Sequence, residues 1–353
     1  MEKSKVAFFI STMRGGGAQR VISVLSEYLA KHEKEVDVIA TSEDKLDYAL
    51  GKKVNYIFLN NKNSHSKLDR LLSIKKIIEL NKYTHIISLQ ESSSIYLAIL
   101  KLIGLRFVFC ASERMDPTKD SRTLSFLKTF AYSVADKIVF QTQDAQNYFS
   151  KKIQRKSKII FNPVKADLPD PVYDGRENKV VTAIRLEPQK NPYMLIKAFY
   201  LFHLEKKDYT LYIYGDGSMK TDIASYLTKQ SMDSYVKLEG FATDVINKEK
   251  NAKMFVLSSD YEGVSNAMLE ALCIGLPVVS TDHPIGGAKM FIKNGFNGYL
   301  SDVGNEKQLA QNLKRIADMD KKEYISMCKN ASSIRDKLNL NVVAKEWEDY
   351  IFN

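Results

Sequence analysis

Short, nearly continuous apolar runs alternate along this chain with longer stretches whose apolar residues recur every three to four positions. The first pattern predicts strands buried on both faces of a parallel sheet, and the second predicts the amphipathic helices that cover it. In the first half the runs fall at residues 6–10, 35–40, 85–89, 107–111 and 137–140, with a helix over about 18–31 between the first two. Residues 163–178 then turn polar and proline-rich, with Pro163, Pro169 and Pro171 close together, which marks a linker. Beyond it the alternation resumes at 179–184, 210–214, 235–239, 252–258 and 277–280, before a closing helical region. The order predicts two doubly wound α/β domains in series.

Length agrees with that division, because 353 residues exceed what one core usually serves. The net charge of +10 is unevenly spread: residues 1–170 hold 28 Lys and Arg against 18 Asp and Glu, and residues 171–353 hold 24 of each. A basic first half suits an anionic lipid surface or a lipid pyrophosphate. Nucleic acid is not expected as a partner, since no zinc spacing, RNP-like aromatic strand or other recognition signature is present. Within that half, residues 66–80 read as an amphipathic helix with Leu68, Leu71, Leu72 and Ile78 on one side and Lys67, Arg70 and Lys75 elsewhere. Both core packing with a solvated face and membrane docking fit it. Cys110, Cys273 and Cys328 are far apart in apolar surroundings and read as reduced thiols of a cytoplasmic protein. The opening run is too short for a signal peptide, and the apolar stretch 95–111 is interrupted by Lys101, Gly104 and Arg106, so neither predicts a membrane span.

The chemistry concentrates in Glu262-Gly-Val-Ser-Asn-Ala-Met-Leu-Glu270. Eight residues are a little over two helical turns, so Glu270 lies on roughly the face of the loop that carries Glu262. Gly263, Val264, Ser265 and Asn266 fall where the helix begins, with Ser265 or Asn266 able to cap it and free N–H groups able to meet a diphosphate. An ordinary surface helix with solvated acids also fits these residues alone.

In wider context the chain resembles the retaining glycosyltransferases of family 4, the glycosyl transferases group 1 domain. Besides the paired glutamates, the resemblance rests on Met13-Arg-Gly-Gly-Gly-Ala-Gln-Arg20, Asn162-Pro-Val164, Ala183-Ile-Arg-Leu-Glu-Pro-Gln-Lys-Asn191, Leu211-Tyr-Ile-Tyr-Gly215, Ala271-Leu-Cys-Ile-Gly-Leu-Pro277 and Asn294-Gly-Phe-Asn-Gly-Tyr-Leu300, in the family's order. It implies a GT-B fold of two Rossmann-like domains facing each other across a cleft. Residues 1–165 would be the acceptor-binding domain, 166–340 the nucleotide-sugar-binding domain, and 341–353 a helix packing back on the first. It further implies retention of configuration, a UDP-sugar donor and a hydroxyl of a glycan as acceptor.

Neutralising a departing diphosphate needs either a metal or fixed cations and helix dipoles. The one Asp-x-Asp, Asp318-Met-Asp320, lies between two helices and is better explained by capping. The expectation is therefore a metal-independent enzyme without cofactor, with Arg185 and Lys190 as the cations. The resemblance makes these two diphosphate ligands, Glu262 the residue that polarises the sugar, and Glu270 the ribose ligand. Gly15-Gly-Gly17 follows the first strand as a ligand-facing loop, placing Gly16 and Gly17 at the donor and Arg14 near the acceptor. Gln19 stands where many family members have Glu. Gly215-Asp-Gly217 is a lesser glycine loop that a plain turn explains nearly as well, and Gly240-Phe-Ala242 is the expected neighbourhood of the base.

One departure concerns the loop Ala111-Ser-Glu-Arg-Met-Asp-Pro117, where many members carry a His and this chain has none. A subgroup acting on polyprenyl-diphosphate-linked glycans has Ser-Glu-Arg there, so Glu113 or Arg114 is a candidate for donor or acceptor contact, and an ion pair that holds the loop is the alternative. Backbone approach by Gly286 and Gly287 is expected beside His283. A peripheral place at the inner membrane face, on lipid-linked glycan for capsule, O-antigen or exopolysaccharide, follows as the expected setting. A nucleotide-sugar epimerase and a catalytically idle lipid-docking subunit are the alternatives on the same fold. A dinucleotide oxidoreductase is disfavoured, because Ala18, Gln19 and Arg20 follow the glycines where G-x-G-x-x-G is required.

Overall fold

The computed structural model describes residues 4–59, 66–165, 167–242 and 244–353. Two units result, one of Met1–Pro163 with Leu340–Asn353 and one of Val164–Asn339. In the first unit, β1 (Lys5–Ile10), β2 (Glu35–Ala40), β3 (Val54–Phe58), β4 (His85–Ser88), β5 (Val108–Ser112), β6 (Lys137–Phe140) and β7 (Ser157–Ile159) form one parallel sheet in the order β3-β2-β1-β4-β5-β6-β7. Its helices are α1 (Gly17–Lys31), α2 (Lys67–Asn81), α3 (Glu91–Leu102), α4 (Arg122–Val134), α5 (Gln143–Tyr148) and α6 (Lys151–Gln154). Central β1 buries Val6, Ala7, Phe8, Phe9 and Ile10 completely, as a strand covered on both faces must.

The second unit repeats the plan with β8 (Glu177–Ala183), β9 (Thr210–Tyr214), β10 (Val236–Gly240), β11 (Ala252–Leu257), β12 (Val278–Thr281) and β13 (Gly298–Ser301), ordered β10-β9-β8-β11-β12-β13. Around them lie α7 (Pro192–Glu205), α8 (Lys220–Lys229), α9 (Val245–Glu249), α10 (Asn266–Cys273), α11 (Glu306–Ala317) and α12 (Lys321–Ser332). In each sheet the winding reverses once, between β1 and β4 and between β8 and β11. Ligands of such sheets bind beyond the carboxyl ends of the strands at that reversal.

Helix α13 (Leu340–Phe352) belongs to the first unit. Val343, Ala344, Trp347 and Ile351 form a buried stripe that joins Val21, Ile22, Leu25 and Leu29 of α1 in one core. The junction expected at 165/166 touches Ala166, outside the described residues, whereas the units divide at 163/164 and at 339/340. The proline-rich linker is tied to the second unit by Arg176, whose buried guanidinium donates to the carbonyls of Lys250, Ala252, Ile274 and Gly275 at 2.9–3.0 Å.

Helix α2 splits the apolar side read from its spacing. Ile74 and Ile78 turn inward, while Leu68 and Leu72 remain 63% and 53% exposed. The first turns of α2 therefore present leucines outward alongside Lys67. Among the described residues, no helix is long and apolar enough to cross a membrane.

Candidate functional site

At the reversal of the second sheet, the loops after β8 and β11 meet. After β8 the chain makes a single 3-10 turn, Pro188–Lys190, and Asn191 at φ 44° enters α7. Asn tolerates that left-handed backbone. Its side chain accepts from the Met194 N–H at 3.1 Å, and its Nδ2 donates to Asp260 Oδ1 at 2.8 Å. Gln189 Nε2 donates to the Tyr261 carbonyl at 2.8 Å, and the Asp260 N–H donates to the Gln189 carbonyl at 3.0 Å. Ser258 Oγ donates to the Lys190 carbonyl at 2.7 Å. The two loops are thus stitched together through backbone and side chains.

This framework puts the Lys190 ammonium on Glu262 Oε1 as an ion pair, with side chains only 9% and 14% exposed. Ser259 Oγ donates to the other carboxylate oxygen at 3.1 Å. Burial opposes a charge on Glu262, but Lys190, then His283, and the hydrogen bonds outweigh it and hold the carboxyl below its ordinary value. The neighbouring strand joins in through Thr281 Oγ1, which donates to the Ser259 carbonyl at 2.6 Å. Arg185 is exposed on the same β8 loop, where its charge, after hydrogen bonds from Ser218, helps hold Glu187 below the usual carboxylate range.

Beyond Glu262, Gly263 and Val264 are buried and lead to Ser265, the cap of α10, whose Oγ accepts from the Met268 N–H at 3.4 Å. Asn266 is the first residue of α10, and Glu270 follows one turn later, buried. Glu249, on α9, is also buried beside Glu270. Burial first and the Glu270 charge second push its carboxyl well above the ordinary range, against a pull from Lys165.

The loop after β12 closes on the same place. Gly286 is buried at φ 67°, and an ideal Cβ on Gly287 would lie 1.8 Å from the Gly263 carbonyl oxygen, so only glycine fits there. Packing alone requires glycine in the other glycine loop, since Cβ atoms on Gly215 and Gly217 would strike the carbonyl oxygens of Ile184 and Leu186 at 1.8 and 2.4 Å. These glycines let two backbone segments come together. Asp318 pairs with Lys206 at 2.5 Å, and Asp320 caps α12 in a reciprocal capping box with Glu323.

In the first unit, Gly16 immediately precedes α1 and Gly17 begins it, but the loop is partly occupied from within. The Gly15 N–H donates to Asp47 Oδ2 at 2.8 Å and the Gly16 N–H to the Tyr48 hydroxyl at 3.4 Å. Exposed Arg14 lies 3.8 Å from Glu43, and buried Gln19 donates from Nε2 to the Thr12 carbonyl at 3.2 Å. Glu113 does not present itself to a ligand. One oxygen accepts from the N–H groups of Arg114 and Met115 at 3.0 and 3.1 Å, and the other meets Lys128 at 2.7 Å and the Tyr132 hydroxyl at 3.3 Å. Lys128 also pairs with Asp120 at 2.5 Å, so the ion pair that holds the loop accounts for Glu113. Arg114 donates to Asn162 Oδ1 and lies 5.5 Å over the Trp347 ring, and burial lowers its guanidinium to about 10.

Of the residues the sequence singled out, the structure joins Lys190 to Glu262 and buries Glu270 in α10, and it adds Ser259, Asn191 and Glu249, which the sequence did not single out. The first two were signalled by position, since Ser259 precedes the paired glutamates and Asn191-Pro192 is a helix start. Glu249 gave no signal, because a lone glutamate reads as surface.

Known proteins resemble this chain in sequence and in fold. The pattern of the family described as Glycosyltransferase Family 4 matches residues 15–168, and that of Glycosyl transferases group 1 matches residues 165–333. A Campylobacter jejuni α-1,4-N-acetyl-D-galactosaminyltransferase, named for a GalNAc glycan on diNAcBac-PP-undecaprenol, is 25% identical over 367 residues, 97% of each chain. The amylovoran biosynthesis glycosyltransferase AmsD of Erwinia amylovora is 24% identical over 351 residues, covering 95% of this chain and 96% of its own. In fold, the chain superimposes on Anabaena Alr3699/HepE, solved with UDP and glucose, with a TM-score of 0.81 over 98% of each chain at 18% identity.

Proposed function

This chain belongs to the family 4 glycosyltransferases, with the two Rossmann-like domains of the GT-B fold, and from that premise we propose that it moves a sugar from a UDP-sugar to a hydroxyl of a lipid-diphosphate-linked glycan with retention of configuration. One observation carries the assignment of the site: Lys190 and Glu262, far apart in sequence, meet at the reversal between β8 and β11, directly before the capped start of α10. Lys190 and Arg185 take the diphosphate, helped by the N–H groups at Ser265–Ala267. Glu262 orients and polarises the sugar, and Glu270 binds the ribose hydroxyls.

The bond between the anomeric carbon and the diphosphate oxygen breaks while the acceptor hydroxyl oxygen attacks from the same face. The hydroxyl proton passes to the departing phosphate oxygen. Charge growing on that oxygen is met by fixed cations and helix N–H groups, so neither an enzyme base nor a metal is needed.

A lipid-linked acceptor is supported by the Campylobacter jejuni relative, named for an undecaprenol-linked glycan. A place on an anionic membrane surface is supported by the first unit itself. It carries 28 Lys and Arg against 19 Asp and Glu, and exposes Leu68, Leu72, Leu102 and Phe126.

The test is UDP release from a panel of UDP-sugars, with and without a lipid-diphosphate sugar acceptor, in EDTA and in Mg2+. Release that requires acceptor and ignores EDTA is expected. Release without acceptor would point to hydrolysis, and absence of UDP binding would remove the site.

A further inference from the structure

Resting on that placement of the donor, the charge arrangement around Glu262 carries one step more. The Lys190 ammonium is the cation on Glu262, yet it is also the group that must meet the diphosphate. When it leaves, a carboxylate only 14% exposed keeps, among the described residues, a single neutral donor, Ser259 Oγ at 3.1 Å. A buried carboxylate stripped of its cation is costly unless another replaces it.

One candidate stands beside it. His283 is 1% exposed, and its Nδ1 lies 3.2 Å from the Pro284 carbonyl oxygen, which can only accept. That contact assigns the proton of the neutral ring to Nδ1 and leaves Nε2 as a bare lone pair. Nε2 is buried and has no hydrogen-bond partner among the described residues. A Cβ on Gly287 would lie 3.2 Å from His283 Cε1 and 1.8 Å from the carbonyl oxygen of Gly263, the residue after Glu262, so ring edge and Gly263 carbonyl converge on one point. Ile285, a β-branched residue at φ 61°, holds the turn in a conformation such residues avoid, as occurs where surrounding structure clamps a loop into one arrangement. The charged groups facing this corner are Glu262 and Lys190, with Asp260 engaged by Asn191.

We propose that His283 is the positioning residue of Glu262 in the donor-bound site: as the diphosphate draws Lys190 away, Nε2 takes one proton from solvent and the imidazolium replaces the ammonium beside the carboxylate. Donor binding is then coupled to proton uptake. Glu262 thereby keeps a cation beside it and remains ionised when it meets the sugar.

The experiment is calorimetric titration of the full chain with UDP at pH 7.5 in buffers of different ionisation enthalpy. UDP itself titrates, so the quantity read is the difference in proton uptake between wild type and variants. Wild type is expected to take up about half a proton or more beyond His283→Asn, which keeps a polar side chain but cannot be protonated. Glu262→Gln, which removes the charge the imidazolium answers, should lose the same increment. Equal uptake in wild type and His283→Asn overturns the proposal. So does a variant that loses UDP binding together with its melting transition, once His283→Gln, tested alongside, behaves the same way. If wild type shows no heat with UDP, the donor site itself fails and the coupling falls with it.

Discussion

Replacing Glu262 by Gln perturbs the ion pair at the centre of the site while preserving its shape. The carboxylate competes with the diphosphate for the Lys190 ammonium, and both side chains are largely removed from water. At 4 Å and an effective dielectric of 20, two such charges attract by about 4 kcal/mol before desolvation is counted. The net worth of one charge-assisted hydrogen bond is about 1.5–3 kcal/mol, against about 0.5–1.5 for the neutral amide that replaces it. UDP must break the stronger contact in wild type and the weaker one in Glu262→Gln. The variant is therefore expected to bind UDP more tightly by roughly 1–2 kcal/mol, or about 5–30-fold. Turnover should fall by at least about tenfold, because the group that polarises the sugar has lost its charge. Calorimetry with UDP at one pH and salt concentration measures the first, acceptor-dependent UDP release the second, and a melting curve checks that the Gln variant is folded. UDP bound equally or more weakly by the variant would refute the competition.

In the first unit, Lys128 is 2% exposed between Glu113 and Asp120, so Lys128→Met leaves two carboxylates without their cation and should cost about 3–5 kcal/mol. By differential scanning calorimetry that is a fall of about 6–20 °C, with partial recovery in the double variant carrying Glu113→Gln; a shift below about 1 °C would sink it. Glu249 predicts a pH effect in the second unit. Its folded value lies above that of the unfolded chain, so its contribution is complete below about pH 4.3 and is lost as pH rises toward the raised value. From pH 5 to 8, wild type should therefore lose stability relative to Glu249→Gln by up to about 1.4 kcal/mol per unit, read from denaturant unfolding, and parallel pH profiles would contradict the assignment. For the membrane, the double change Leu68→Glu and Leu72→Glu should weaken sedimentation with anionic vesicles at least about tenfold while leaving UDP affinity unchanged; unaltered sedimentation would remove α2 from the docking surface.

What was legible in the sequence divides along a physical line. Central strands such as β1 and β11 were readable because a strand buried on both faces must be apolar throughout. The two edge strands of the first sheet were not: β3 reads Val-Asn-Tyr-Ile-Phe, partly exposed and interrupted by a polar residue, and β7 has only three residues. In the candidate site, Glu262 and Glu270 stood out through their spacing about a helix start, which the structure places at Asn266, four residues past Glu262. The meeting of Lys190 with Glu262 spans 72 residues and depends on strand order, which no local pattern encodes. Lys128 shows the opposite failure, since a lysine on an amphipathic helix is read as solvated unless its partners are known. Likewise spacing grouped Leu68 and Leu72 with Ile78 on one side of α2, and only the structure separates the buried Ile78 from the two exposed leucines.

The return of α13 to the first unit has a consequence for how the chain comes off the ribosome. The α1 face of Val21, Ile22 and Leu25 is completed by Trp347 and Ile351, which are made only after all of residues 164–339. At about 5–20 residues per second that interval is on the order of 10–35 s, during which the second unit can finish while the first still shows an open apolar groove. Birth order and completion order are thus inverted, and the groove is where a chaperone would find the nascent chain.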